Sequence, residues 1–289
     1  GQNNTGVGVG VLYKNISGNF NVGFGTYALF NNTSGGGNTA LGPFALTSNT
    51  TGSYNTAVGN SQENNTSGSF NISVGDQAMD ANTTGSGNLA FGMQALKSSQ
   101  TVSGLTAIGF QALASNNNSG DRNTAVGFQA MVSNTSGDDN NAFGYCALCQ
   151  NTTGNYNVAF GGNAMFTNTT GSENIAFGYK PLYSNATGSG NTAIGHHALY
   201  YNTASANTAV GFDALFNNTT GTKNIALGFQ PLFDNTSGSQ NIGIGYQALG
   251  NNTTGSSNFG LGANSLQTNT TGANNVGLGT DTLRYNTTG

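Results

Sequence analysis

The chain of 289 residues is rich in glycine and poor in charge: 46 residues are Gly, only 6% are charged, and the formal net charge is −4. This composition excludes a basic surface for nucleic acid, because neutralising phosphates requires clustered Lys and Arg. Apolar runs also stay well short of the ~20 residues that span a bilayer. Glycine-rich, weakly charged chains are often disordered, but the periodic apolar residues of this one predict a folded structure.

A short phrase of the form Asn-x-Ala/Gly-apolar-Gly recurs from one end of the chain to the other. Of the 16 steps between its closing glycines, 13 are 17 residues long, two are 16 and one is 18. We therefore predict a single continuous repeat array over 1–289, with 17 coils and no separate domains. No signal peptide or divergent capping coil is recognisable, so we expect a fragment of a longer fibre. The closing glycines are Gly8, Gly25, Gly42, Gly59, Gly75, Gly92, Gly109, Gly127, Gly144, Gly161, Gly178, Gly195, Gly211, Gly228, Gly245, Gly262 and Gly279.

Each coil begins with a stretch of alternating apolar, small and apolar residues, as in Thr124-Ala125-Val126. This period of two predicts a strand whose two apolar residues face inward. The small residue between them would then lie on the other face, where it either packs against a sister chain or fills a thin part of the same coil.

Four residues after the closing glycine stands Leu or Met in every coil but one, where Glu63 takes that place. We expect a second strand here, followed by a polar turn at Asn-Thr-Thr/Ser-Gly. Because one coil cannot bury its apolar face alone, the coils must stack. The predicted fold class is therefore all-β: a β-solenoid (β-roll or β-helix) with about 17 residues per coil, and at ~4.8 Å per coil it would be roughly 80 Å long.

Asparagine forms two columns in the repeat. The first opens the phrase in 16 of the 17 coils, with Leu105 as the exception. Identical Asn side chains stacked at strand spacing can hydrogen-bond along the stack, which predicts an Asn ladder.

The second Asn column lies in the turn, where 15 coils carry Asn-x-Ser/Thr. One interpretation is N-glycosylation along one edge of the solenoid. The other is a hydrogen-bonded Asn/Thr turn repeated by stacking, which needs no sugar. The candidate acceptors are Asn15, Asn32, Asn49, Asn65, Asn82, Asn117, Asn134, Asn151, Asn168, Asn185, Asn218, Asn235, Asn252, Asn269 and Asn286.

Few residues suggest chemistry. Cys146 and Cys149 lack the strand-to-helix context of a redox motif, so we expect a local surface disulfide or two reduced thiols. His196 and His197 are the only histidines; as neighbours on a strand they would point to opposite faces and could not share a metal. The pair Asp138-Asp139 is typical of a solvated turn. We predict no catalytic, cofactor-binding or metal site, no cofactor, and no enzyme activity.

Stretches such as Asn123-Thr-Ala-Val-Gly-Phe-Gln-Ala130 and Asn191-Thr-Ala-Ile-Gly-His-His-Ala198 resemble the repeats of YadA-like head domains of trimeric autotransporter adhesins and related fibre proteins. The resemblance implies a left-handed β-roll, three chains side by side, and surface adhesion. The coil departs from the family in length, since its repeat is usually shorter.

These features predict an extracellular or cell-surface structural and adhesive fibre segment, in its sharper form a filament coated with N-glycans. A phage or viral receptor-binding fibre is the alternative, and an ice-binding solenoid is a third hypothesis. The expected partners are copies of itself, as a filament or a homotrimer, and a host surface or glycan; nucleic acid is not expected, nor does this segment span a membrane.

Overall fold

The structure is a computed structural model that describes residues 1–116 and 119–289. Each repeat contributes one strand of three residues, and over the described residues there is no α-helix, hence none able to cross a membrane. The strands are β1 Thr5–Val7, β2 Val22–Phe24, β3 Thr39–Leu41, β4 Thr56–Val58, β5 Ile72–Val74, β6 Leu89–Phe91, β7 Thr106–Ile108, β8 Thr124–Val126, β9 Asn141–Phe143, β10 Val158–Phe160, β11 Ile175–Phe177, β12 Thr192–Ile194, β13 Thr208–Val210, β14 Ile225–Leu227, β15 Ile242–Ile244, β16 Phe259–Leu261 and β17 Val276–Leu278.

The chain divides into two compact units, Gly1–Ala142 and Phe143–Gly289. Within the first, β1 to β8 pair in chain order, all parallel and in register. Within the second, β10 to β17 do the same. The predicted all-β solenoid with about 17 residues per coil is thus confirmed. The boundary between the units falls inside β9, and the single continuous array stays a prediction.

The small middle residue of each strand, and not its apolar neighbours, faces the core. Ala176 and Ala193 are fully buried, whereas Phe177 and Ile194 beside them are exposed. The predicted inward orientation of the apolar residues was therefore wrong, and the small residue fills a thin part of its own coil. The reason is space: a Cβ added to Gly243 would lie 3.2 Å from Leu232 Cγ, so this layer has no room for a larger side chain.

The Leu/Met column supplies the rest of the core, but it does not form a second strand. Lys180 and Leu182 have φ values of 55° and 49°, in the left-handed region that an extended strand does not use. The segment is a turn whose backbone bonds to the next coil, as where Leu182 N donates to Ala198 O at 3.0 Å. The left-handed conformation costs a leucine about 1–2 kcal/mol, which burial of its side chain and this hydrogen bond offset.

The coil after Gly59 fills the Leu/Met position with Gln62 and not with Glu63. Gln62 is fully buried and has the same left-handed φ, 51°, as the leucines. Ser61 takes the place of the preceding Ala, because Leu46 N donates to Ser61 O at 3.3 Å. The residue missing from this 16-residue coil therefore lies between Gly59 and Ser61, a detail that counting from the glycine could not reveal.

The closing glycine is required by backbone geometry. Gly228 has a φ of +133°, and an added Cβ would lie 2.6 Å from Gly245 O and 2.9 Å from Gly245 C in the next coil. Real Cβ atoms do not approach a carbonyl so closely, and this φ is also strained for residues with a side chain. Glycine is therefore the residue that lets one coil close onto the next.

Candidate functional site

The opening asparagines form the predicted ladder. Asn38 Nδ2 donates to Asn21 Oδ1 at 3.1 Å, and its backbone N donates to the same oxygen at 3.0 Å. Asn38 Nδ2 also donates to Gly52 O at 2.9 Å. These side chains are fully buried, so each ladder asparagine replaces water as the partner of backbone groups at the coil corner.

The turn asparagines form a second ladder beside the first. Asn235 Nδ2 donates to Asn218 Oδ1 at 2.8 Å and to Gly238 O at 2.9 Å. Gly238 O also accepts from the opening Asn224 at 2.8 Å, so the two ladders converge on one carbonyl per coil. Threonine hydroxyls add a further connection, as where Thr236 Oγ1 donates to Thr253 O at 3.0 Å.

This second ladder weighs against the glycosylation hypothesis, which stays a prediction. The nitrogen that would carry the sugar is buried and donates both of its hydrogens, so the structure favours the hydrogen-bonded turn. In the first and last coils the half-buried Asn15 and Asn286 make the same Gly contact, at 3.0 and 2.9 Å. Asn117 lies outside the described residues. The fully buried candidates are Asn32, Asn49, Asn65, Asn82, Asn134, Asn151, Asn168, Asn185, Asn218, Asn235, Asn252 and Asn269.

One coil interrupts both ladders with three substitutions. Ser99 stands for the turn Asn, Val102 for the turn Gly and Leu105 for the opening Asn, and all three are buried. Asn82 Oδ1 in the preceding coil and the Ser99 hydroxyl consequently lack a hydrogen-bond partner. The break shows that the ladder depends on an Asn in every coil.

The two cysteines are thiols and not a disulfide, and both are buried. Of the two predicted alternatives, the structure contains the reduced thiols, and they are buried and not at the surface. Burial, together with a hydrogen bond to Cys146, raises the pKa of the Cys149 thiol to about 12. A thiol that stays protonated at neutral pH is a poor nucleophile, so the environment of Cys149 does not favour redox chemistry.

The two histidines lie on the same side of the chain, contrary to prediction. Strand β12 ends at Ile194, and His197 has a left-handed φ of 56°, so the alternation of a strand does not apply. The ring centroids of His196 and His197 are 3.9 Å apart. In the next coil, Asp213 Oδ1 lies 3.5 Å from His197 Nδ1. One donor atom from each of the three residues lies within 4.8 Å of the others, as a metal site requires.

The second unit also carries two aromatic ladders, the first of which includes His196. Their rings follow one another at 5.0–5.4 Å, and most of them stack face to face. Stacked rings at this spacing contribute favourable contact between coils beyond the area they bury. The first ladder contains Tyr179, His196, Phe212, Phe229 and Tyr246; the second contains Phe166, Tyr183, Tyr200, Phe216 and Phe233.

Charged residues of the first unit form a local surface ion pair. Arg122 donates two hydrogen bonds to Asp139, at 2.7 and 2.9 Å. These bonds hold the pKa of the Asp139 carboxyl below its usual range. Asp138 Oδ1 accepts a hydrogen bond of 2.7 Å from the backbone N of Asp121 in the preceding coil. The acidic pair therefore makes hydrogen bonds between turns of neighbouring coils.

Comparison with known proteins finds no match to a family model, to a curated protein or to a solved structure.

Proposed function

We propose that this chain is a structural and adhesive segment of an extracellular fibre, and that it associates with copies of itself through the outward face of its sheet. The observation that carries the proposal is an exposed apolar surface on that face. We call it the outward ribbon and define it in the second unit as the first and third residues of β10 to β17.

The outward ribbon is unusually apolar for a surface exposed to water. Its most exposed members are 38–58% accessible, although Phe, Ile, Leu and Val side chains gain by burial. Contiguous exposed apolar patches of this kind mark sites of protein association. These members are Phe160, Ile175, Phe177, Ile194, Ile225, Leu261, Val276 and Leu278.

A second copy of the chain is the partner that best fits this ribbon. The side chains of the ribbon repeat once per coil, at the ~4.8 Å spacing of neighbouring strands. A partner that packs against many coils at once needs the same axial repeat. A second copy of the chain has the same repeat because its sequence is identical. The trimer implied by the resemblance to YadA-like heads is consistent with this pairing.

The interior of each unit supports a structural role. Asn, Thr and Ser side chains are committed to hydrogen bonds between successive coils, and Ala and Leu fill a narrow core. A solenoid built this way is stabilised by nearest-neighbour contacts, so length can be added without redesigning a core. Length, rigidity and a repeating surface are what a fibre provides.

The test is the oligomeric state of the purified chain by light scattering coupled to size exclusion. We expect the wild type to form a defined oligomer or filament. The triple variant Phe160→Thr, Phe177→Thr, Ile194→Thr should shift it to the monomer, because Thr keeps β propensity but removes apolar area.

The matched control replaces three exposed aromatic residues outside the strands with Thr: Phe212, Phe229 and Tyr246. This control should still associate. Circular dichroism must show the same β content in all variants. A monomeric wild type, or equal association in both triple variants, contradicts the proposal.

A further inference from the structure

We propose that His196, His197 and Asp213 bind a divalent transition-metal cation of the zinc class at the surface of the second unit. The proposal adds a ligand site to the fibre segment and is independent of its self-association.

The donor set and its spacing suit such an ion. Two imidazole nitrogens and one carboxylate oxygen are common zinc ligands, and three protein ligands leave a fourth position open for water. The 3.5 Å between His197 Nδ1 and Asp213 Oδ1 is close to the edge of a zinc tetrahedron, which is about 3.4 Å for bonds of about 2.0–2.1 Å. His196 is exposed, so the cluster is open to an ion that approaches from solvent.

Asp213 provides a second, independent observation. The residue is 9% exposed, and its buried Oδ1 atom has no hydrogen bond beyond the long 3.5 Å contact with His197 Nδ1. The other oxygen, Oδ2, accepts a long bond of 3.4 Å from Gln230 Nε2. A buried carboxylate oxygen that lacks a donor is costly, and a cation bound by the two histidines would supply the missing partner.

The ring of His197 is half-buried among aromatic and cationic neighbours. The Lys180 ammonium lies over the rings of Tyr179 and Tyr183, 5.1 and 5.4 Å from their centroids. Tyr200 packs edge-on against His197 at 5.0 Å, so the ring is held between aromatic neighbours.

A plain His–Asp ion pair is the competing explanation of the cluster. It requires a protonated His197, whereas a metal site requires a neutral one. Zinc binding by the wild type therefore supports the metal site, and absence of binding supports the ion pair.

The experiment is calorimetric titration of the whole chain with Zn²⁺ at neutral pH, for the wild type, His197→Gln and Asp213→Asn. Other coils have Gln230 and Asn264 at the position of His197 and Asp213. Gln and Asn therefore fit this position and should keep the fold. Loss of even an indirect partner of a metal ligand lowers affinity about 10–100-fold, so each variant should bind the ion at least tenfold more weakly. Asp281→Asn, the same change at the same coil position without neighbouring histidines, is the matched control and should not alter binding.

Cobalt(II) absorption distinguishes this site from the thiols of Cys146 and Cys149. Nitrogen and oxygen ligands should give d–d bands without a thiolate-to-metal charge-transfer band, and these bands should disappear in His196→Phe, which keeps the aromatic ladder. Zinc affinity that is absent from the wild type or unchanged in both ligand variants, or a thiolate band in the cobalt spectrum, overturns the proposal.

Discussion

A single glutamine disturbs the core of the first unit. Gln62 occupies a position that Leu or Met fills in the other coils, and both polar atoms of its side chain are buried without hydrogen-bond partners. Ser61 and Ser73 lie in the same core and bond to each other at 3.0 Å, which satisfies their hydroxyls but leaves the amide alone. The 16-residue coil is therefore destabilised by the burial of the Gln62 amide without hydrogen-bond partners.

We predict that Gln62→Leu stabilises the protein by about 1–3 kcal/mol, the usual cost of burying an unpaired polar group. Leucine or methionine is the residue of the equivalent coils, and leucine brings no polar atom into the core. The measurement is the urea midpoint followed by circular dichroism. Gln150→Leu, at an exposed residue, is the control and should leave the midpoint unchanged; a lower midpoint for Gln62→Leu would count against the core assignment.

The coil is the element of this fold, and its corner is held by the two Asn ladders. The turn carbonyl Gly238 O accepts from two asparagines, and the turn Asn235 Oδ1 accepts a further bond of 2.8 Å from Asn252 Nδ2 in the next coil. The break at Ser99 leaves Asn82 Oδ1 unpaired. Loss of one rung therefore affects the coils on both sides.

Asn235→Ala should destabilise the second unit by about 1–3 kcal/mol or more, because it orphans a buried oxygen of Asn218 and a buried donor of Asn252. Thermal unfolding of the whole chain measures the effect. The control Asn251→Ala removes an exposed asparagine next to the ladder and should change the midpoint little. Equal effects of the two substitutions would show that the ladder contributes nothing beyond an ordinary surface Asn.

At the scale of the whole molecule, charge contributes little to stability. The chain has 6 Lys and Arg and 10 Asp and Glu among 289 residues. The ion pairs Arg122–Asp139 and Arg284–Asp281 are at the surface, where solvent screens them. Hydrogen bonds between coils and the apolar core carry the stability instead.

We therefore expect the thermal midpoint to change by no more than about 2 °C when NaCl is raised from about 0.01 to 1 M, although the screening length falls roughly tenfold. Arg122→Gln removes the bidentate ion pair and should be equally insensitive to salt. A midpoint that falls steeply with salt would show that electrostatics, and not the ladders, hold the coils together.

The repeat itself was predictable because it depends on neighbouring coils alone. The recurrence of the phrase that closes at Gly228 and its equivalents gave the number of coils, their stacking and the opening Asn ladder, whereas the second strand predicted at the Leu/Met column did not form. The role of the turn asparagines stayed open, since Asn-x-Ser/Thr in the sequence does not report whether Asn235 is buried.

The sequence by itself determined the coil, its period and its all-β class. Only the tertiary structure decided which face of each strand is inside. The alternation Ile175-Ala176-Phe177 reads the same whether the apolar residues or the small residue face the core. The tertiary structure also decided the metal candidate: the left-handed backbone at His197 turns its ring toward His196, and the next coil brings Asp213 alongside. Stacking of the coils sets the left-handed backbone of His197 and its contact with Asp213, 16 residues later. No pattern within one coil reveals either feature.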